Sequence, residues 1–456
     1  MMTIGDKPIN ANKVQQLQEA LHAKAKESPG FRFYALYDKV YRLDVLRAAY
    51  RRCRENDGAP GIDRQEFDEV EEYGLERWLG EIAEELRTKT YRPQAVRRVW
   101  IPKPDGKQRP LGRVSQENRA TIKDRVVQTA LRLILDPIFE ADLQPEQYAY
   151  RAERSALDAV SAVHRWACYG HTEVVDADLS GYFDTIPHAE LMLSLARRIS
   201  DKAVLHLIKM WLEAPVEETN KRGHVQRTTV NKDTGRGSPQ GSPISPLFAN
   251  LYMRRFILGW KTLGHERALQ AKIVNYADDF VILCRGTADK AMQVMRDMME
   301  KLKLTVNEKK TRLCRLPEET FDFLGYTIGP FWSRNKRRMV LGTRPSLKAV
   351  KKVKAKISEL TGRDRTLLDE TELVGRLNPG APGLQGWGNY FSRGPVSTAY
   401  RSIDLHTRQL FRKWLVAKHK KTGRGINQYP DAYLFEELGL LQLTSLRTRQ
   451  LRGRTA

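Results

Sequence analysis

Four acidic residues stand where short apolar runs give out. In VVDADLSGYFD (174–184) two valines lead into Asp176 and Asp178, and in VNYADDFVIL (274–283) Asp278 and Asp279 lie side by side. By itself an Asp pair makes a serviceable hairpin turn, because its short side chains bond the local backbone and tolerate unusual dihedrals. An Asp at a strand end is as ordinary in a turn or cap, and Asp184, just before Thr185-Ile186-Pro187, reads most simply that way. Brought together, the same groups would do different chemistry. Two carboxylates about 4 Å apart repel by roughly 4 kcal/mol at an effective dielectric of about 20, so three of them need compensating cation charge.

Short strands are the elements that would bring them together. Side chains alternate along a strand, so Asp176 and Asp178 share a face, and the Asp278-Asp279 pair would cap a hairpin. Between the two acidic segments lies GRGSPQGSPISPLFANLYM (235–253). There a Gly/Pro/Ser loop precedes a helix carrying Leu247, Leu251 and Tyr252, with Ser245 as the expected N-cap and Pro246 in the first turn. Glycines let a backbone approach a ligand closely, and a helix N-terminus favours negative charge.

Around this centre the pattern is mixed. Residues up to about 92 read as charged helices broken by DGAPGIDR, and 96–116 as two short strands around a Pro/Gly turn. Helical periodicity follows through RATIKDRVVQTALRLILDPIFE. A helix is expected at LMLSLARRI, a polar insertion over 217–236, a helix near 287–303 and a strand or two near 321–330. Strands and helices mix without strict βαβ alternation, so the fold class is α+β.

From about residue 343 the chain turns helical and basic. Ser346 is the expected N-cap of SLKAVKKVKAKISEL; Leu347, Val350, Val353, Ile357 and Leu360 line one face, and lysines populate the rest. From Leu405 to Pro430 there are seven Lys/Arg and no acid. Over all 456 residues, 78 Lys+Arg against 55 Asp+Glu give a net charge of +23, an excess that answers a polyanion such as nucleic acid. The start lacks an apolar signal region and no run approaches the ~18 apolar residues of a membrane span, so a cytoplasmic protein without membrane attachment is expected. Cys53, Cys168, Cys284 and Cys314 are scattered, which speaks against a zinc module or disulfide scaffold and fits a reducing cytosol.

The order strand-Asp, PQG before a helix, and YADD in a hairpin resembles the palm of reverse transcriptases, with the bacterial group II intron reverse transcriptase/maturase as the nearest family. GAPGID (58–63), IPKPDGKQRPLG (101–112), YAYRAERSALDAV (148–160), NEKKT (307–311), FLGY (323–326) and LNPGAPGLQGWGNYF (377–391) extend the likeness from about residue 40 to about 425. Departures are YAYRAERSA, where the family more often has a Gly-Phe-Arg-Pro-Gly-like run, and a longer loop at 378–384. No counterpart of the family's zinc-binding endonuclease is expected.

The resemblance implies a right-hand polymerase: an N-terminal extension (1–92), fingers (93–171), a palm with an antiparallel sheet (172–340) and a helical, basic thumb/maturase domain (341–456). It implies that Asp178, Asp278 and Asp279 hold two Mg²⁺, a hard ion that prefers carboxylate and phosphate oxygens. Lys103 and Arg109 would grip the incoming triphosphate, Phe183 would crowd a ribose 2′-hydroxyl, and Gln240 and Gly241 would lie against the template–nucleotide pair. Lys310 would protonate pyrophosphate. The implied partners are an RNA template, a DNA or RNA primer, dNTPs and a structured intron RNA whose splicing and mobility the protein assists. Rival readings are a domesticated enzyme of the same core (phage defence, CRISPR spacer acquisition or DNA repair), an RNA-binding splicing factor with a vestigial polymerase, and an RNA-dependent RNA polymerase.

Overall fold

Four short strands form the sheet on which the acidic residues stand. In the computed structural model, which describes residues 9–56, 58–98, 100–102, 108–110, 120–219, 224–238, 241–333, 337–379 and 383–446, their order is Lys272–Tyr276, Asp279–Cys284, Glu173–Asp178, Arg312–Arg315, all neighbours antiparallel. Alternation divides their side chains between two cores. Val175, Ala177, Ile273, Phe280 and Ile282 face helices Ser245–Thr262 and Ala288–Lys301. Val174, Val274, Val281 and Leu283 face helix Ala156–Cys168 and the aromatic residues of a second sheet. Arg312–Arg315 was not expected as a strand: four residues without an apolar run carry no period of their own, and pairing with Glu173–Asp176 makes the strand.

Helix Ile122–Glu140 is buried on almost every side, as its RVVQTALRLIL run requires, and helices Ile9–Glu27, Leu43–Glu55 and Phe67–Arg87 pack in the same core. Pro137 lies inside it and cannot donate to the carbonyl of Leu133. Gln18 Nε2 donates to that oxygen instead, at 2.9 Å, so the N-terminal helix repairs the defect it packs over. The polar stretch after residue 215 holds a hairpin, Val216–Thr219 with Val225–Thr228, whose first strand runs parallel to Val96–Arg98. The expected strand pair beyond it is Trp100–Pro102 with Gln108–Pro110.

Past the main sheet, Phe321–Phe323, Tyr326–Ser333 and Arg338–Pro345 form a second antiparallel sheet, longer than the one or two strands expected. Helices Leu347–Leu360, Glu370–Leu377, Leu384–Tyr390 and Ser397–Lys418 then close a third core around Tyr400, Phe411 and Trp414. Ser346 caps the first of them by accepting from Ala349 N at 3.1 Å, as expected. Leu347 departs from expectation and is 78% exposed, because at the helix's first position its side chain precedes the packed turns. Two aromatic motifs lock this domain to the second sheet. Tyr326 donates to the Tyr390 carbonyl at 2.6 Å while Tyr390 donates to the Leu324 carbonyl at 2.7 Å. Gly325 takes φ +82° and sits so near Phe391 that a Cβ would come within 3.1 Å of the ring, so a larger residue there would be strained in its backbone and crowd the ring. No helix among the described residues is long and apolar enough to cross a membrane, and all four cysteines are free.

Candidate active site

Strand register assembles the acids. Asp178 pairs directly with Asp279, and Asp176 with Val281, so Asp176, Asp178 and Asp279 share the face whose inner part buries Val174, Val281 and Leu283. The acids occupy the end of that face. Tyr276 pairs with Asp279 and leaves Ala277-Asp278 as a two-residue loop. Ala277 takes φ +57°, a conformation costing a non-glycine residue on the order of 1 kcal/mol. It is held from behind by Asn275, whose buried Nδ2 donates to the Ala277 carbonyl at 2.8 Å. The Asn275 backbone is fixed in turn by Glu146 O and Tyr148 N, at 2.9 and 3.0 Å. Thus the YAYRAERSA neighbourhood, where the sequence departs from the family it resembles, abuts the acidic hairpin.

The NEKKT turn closes on Asp178 from the other side. Lys310 Nζ donates to both carboxylate oxygens, at 2.9 and 3.0 Å, and Asn307 Nδ2 to Oδ2 at 2.8 Å. The backbone of Asp178 is pinned as well: Asn307 N donates to its carbonyl at 2.8 Å, and its own N–H to Thr311 Oγ1 at 3.3 Å. Asn307, Thr311 and Asn275 were not anticipated individually. For Asn275 the signal was available, since an amide between the apolar residues of a buried strand needs a partner.

Charge on this face is unbalanced. Desolvation by the surrounding protein, then repulsion from Asp278, Asp178 and Asp176, pushes Asp279 up to about 6, although its side chain opens to solvent. Asp176 also rises to about 6, chiefly by desolvation, against the pull of Arg312, which lies 3.4 Å away. Among the described residues no three His, Cys, Asp or Glu side chains stand arranged to hold a metal ion as they are. The donor chemistry nevertheless fits a hard divalent cation: carboxylate oxygens only, with an excess of negative charge that Lys310 alone partly offsets at Asp178.

The Gly/Pro/Ser loop is tied to the segment after Asp178. Ser238 N donates to the Phe183 carbonyl at 2.7 Å, Gly237 N to the Ile186 carbonyl at 2.9 Å, and His188 Nε2 lies 2.7 Å from the Gly237 carbonyl. Phe183 is half-buried, edge-on to Tyr182, whose buried hydroxyl donates to Ala249 O at 2.7 Å. Gly241 has φ +81°, which suits glycine. The helix begins at Ser245 itself and Ile244 is its N-cap, one residue earlier than expected. The Ser245 hydroxyl instead accepts from buried Ser238 Oγ at 2.6 Å, bracing the loop across its base. Lys103 and Gln240 lie outside the described residues. Arg109 is in the Gln108–Pro110 strand, opposite Ile101.

Residues 101–328 match the family described as Reverse transcriptase (RNA-dependent DNA polymerase), and residues 350–429 match the Group II intron, maturase-specific domain. Protein YkfC of Escherichia coli (strain K12) is similar at 30% identity over 377 residues, spanning 74% of this chain and 93% of YkfC. The group II intron-encoded protein LtrA of Lactococcus lactis subsp. cremoris is similar at 27% identity over 374 residues, spanning 68% of this chain and 59% of LtrA. The solved telomerase from Candida albicans, in complex with a fragment of telomeric RNA, aligns over 80% of this chain and 69% of its own at 12% identity and a TM-score of 0.40.

Proposed function

The chain belongs to the reverse transcriptases, with the maturase-specific domain of group II intron proteins behind its polymerase segment, and from that premise we propose which of its residues carry the reaction. It is an RNA-directed DNA polymerase of the intron-encoded kind. In our reading residues 93–171 are fingers, 172–340 palm and 341–456 a basic helical thumb, with 1–92 as an extension that shares the palm's core. The thumb would bind a structured intron RNA and assist its splicing and mobility.

Asp178, Asp278 and Asp279 would hold two Mg²⁺. Ions held there would supply Lewis acidity for the primer 3′-hydroxyl and charge neutralisation for the leaving pyrophosphate. The 3′-hydroxyl gives up its proton to solvent and its oxygen bonds the α-phosphorus, while the bond from phosphorus to the bridging oxygen breaks and pyrophosphate leaves. Lys310 Nζ, which rests on both carboxylate oxygens of Asp178, would give a proton to the departing pyrophosphate oxygen. Asn307 keeps its hydrogen bond to Asp178 Oδ2 throughout and holds that oxygen in place. Phe183 limits room beside the sugar and so favours dNTPs. Lys103 and Arg109 would grip the triphosphate, Arg109 by its bidentate fork. Gln240 and Gly241 would lie against the template–nucleotide pair.

The single observation that carries this reading is the pairing of Asp178 with Asp279, which joins residues a hundred positions apart at one sheet end beside the loop bound to Phe183. The test is extension of oligo(dT) on poly(rA) with dTTP and Mg²⁺, alongside Asp278→Ala. Incorporation that depends on Asp278 is expected; none above the variant would leave an RNA-binding protein without polymerase activity.

A further inference from the structure

Behind the sheet, on the helices that cover the face opposite the acids, lies a cleft of about 240 Å³. Phe139 and Leu251 form its apolar wall, and Arg197, Arg198, Arg254 and Arg255 converge on it, with Asp142 as the one lining carboxylate among the described residues. The four guanidiniums are not equivalent. Arg198 is spent on structure: its side chain is 4% exposed, bonds the carbonyls of Ala25, Ser28 and Pro29, and pairs with Asp142 at 3.2 Å. Arg254 gives only its Nε, to the Asp142 carbonyl at 2.7 Å. Arg255 gives one N–H to the Glu190 carbonyl at 3.1 Å, and Arg197 is exposed. Glu190 is itself paired with Lys303. Counting Lys303 and Glu190, five cations face two anions, an excess of three. Burial, and then the charges of Arg197 and Arg198, pull Arg254 below the ordinary arginine value against the opposing pull of Asp142.

Planar forks with unused N–H groups, gathered in a concave site around an uncompensated charge, suit tetrahedral oxyanions bound bidentately. We propose that this cleft is a second nucleic-acid site, which takes backbone phosphates of a structured RNA on the side of the sheet away from the polymerase acids. The proposal rests on the reading that the chain serves a structured RNA besides its template. A nucleotide held on this face lies across the sheet from the acids, so the segment bound here is not the segment being copied. Arg254 and Arg198 set the cleft's shape from within, Arg255 lies over the Tyr252 ring at 5.3 Å with N–H groups to spare, and exposed Arg197 closes over the phosphates.

The probe is a fluorescein-labelled transcript of a folded group II intron, titrated with full-length protein from 0.1 to 0.5 M KCl. The variants are Arg197→Glu and the gentler Arg197→Gln/Arg255→Gln, and each is also assayed for oligo(dT) extension on poly(rA). Arg197→Glu should weaken RNA binding tenfold or more. The double variant should flatten the plot of log K against log salt by roughly one to two, at about 0.9 for each phosphate that is no longer neutralised. Extension should stay within twofold of the parent. Unchanged affinity and slope in both variants would overturn the site. So would an equal fall in extension, which would put the cleft on the primer–template path, or loss of inorganic phosphate binding with RNA affinity intact, which would make it a small-ligand site. A parent protein that binds the transcript but extends nothing would sink the polymerase reading alone.

Discussion

The carboxylate end of the sheet and the arginine cleft behind it are both unbalanced in charge, but the imbalance is held in different ways. Asp178 and Asp279 face each other because the ladder pairs their backbones, and neither can withdraw without breaking strand hydrogen bonds. Arg197 reaches the cleft on an exposed side chain that can splay into water when nothing is bound, and Arg255 is held by one hydrogen bond and the face of Tyr252. Repulsion fixed by backbone register must be carried in the folded state, whereas repulsion between flexible stems is largely relieved by solvent. The acids should therefore be strained and indispensable, the arginines relaxed and modular.

Removing an acid is the harshest test of that contrast. Asp178→Ala should lower extension by three orders of magnitude or more, since positioned cation charge is a large share of such catalysis, while affinity for the intron transcript stays within threefold. A filter-binding assay beside primer extension checks both, and a parallel loss of RNA affinity would show the two clusters to be one site. Lys310→Ala should cost less, about 10²-fold in kcat with little change in KM, as expected for loss of a proton donor. Phe183→Ala should act on choice more than on speed, cutting the preference for dTTP over UTP by about tenfold on poly(rA), because one ring's worth of steric exclusion is on the order of 1–3 kcal/mol. Unchanged rejection of UTP would place the gate elsewhere.

How much of this was legible in the sequence follows the same division. Asp178, Asp278 and Asp279 lie in short strings whose order and apolar flanks announce strand and hairpin, so the acids could be named before any coordinates. Ser346 declared itself as a cap for the same local reason. What positions the acids was hidden, because it is set by pairing at a distance. Strand Arg312–Arg315 has no period of its own, yet it anchors the chain just past Lys310 beside the strand that ends in Asp178. Ser245 offered a plausible cap, but a buried hydroxyl seven residues away competed for it. The arginine cleft was least legible of all. Its residues come from the end of one helix, the turn after a second and the middle of a third, and no local pattern links Asp142 to Arg197 and Arg254.

The smallest effect is also the most discriminating. With no divalent ion bound, Asp279 carries a pKa raised to about 6 by desolvation and then by its acidic neighbours. An acid of this kind holds its proton more tightly folded than unfolded. Its ionised form therefore weakens the fold fully above about pH 6 and not at all below about pH 4, the ordinary carboxylate value. Solvent on the open side of the side chain screens much of that cost. Asp279→Asn should thus raise the melting temperature in EDTA by about one to two degrees at pH 7.5, and the gain should vanish at pH 4. Added Mg²⁺ should stabilise the parent and leave the variant unmoved, since an ion bound only by the folded protein shifts unfolding by mass action. Arg197→Gln, on the other face, should leave the melting temperature unchanged at both pH values. Scanning calorimetry of the two variants decides the matter: equal shifts, or none for Asp279→Asn, would mean that the ladder does not trap repulsion at the acidic end.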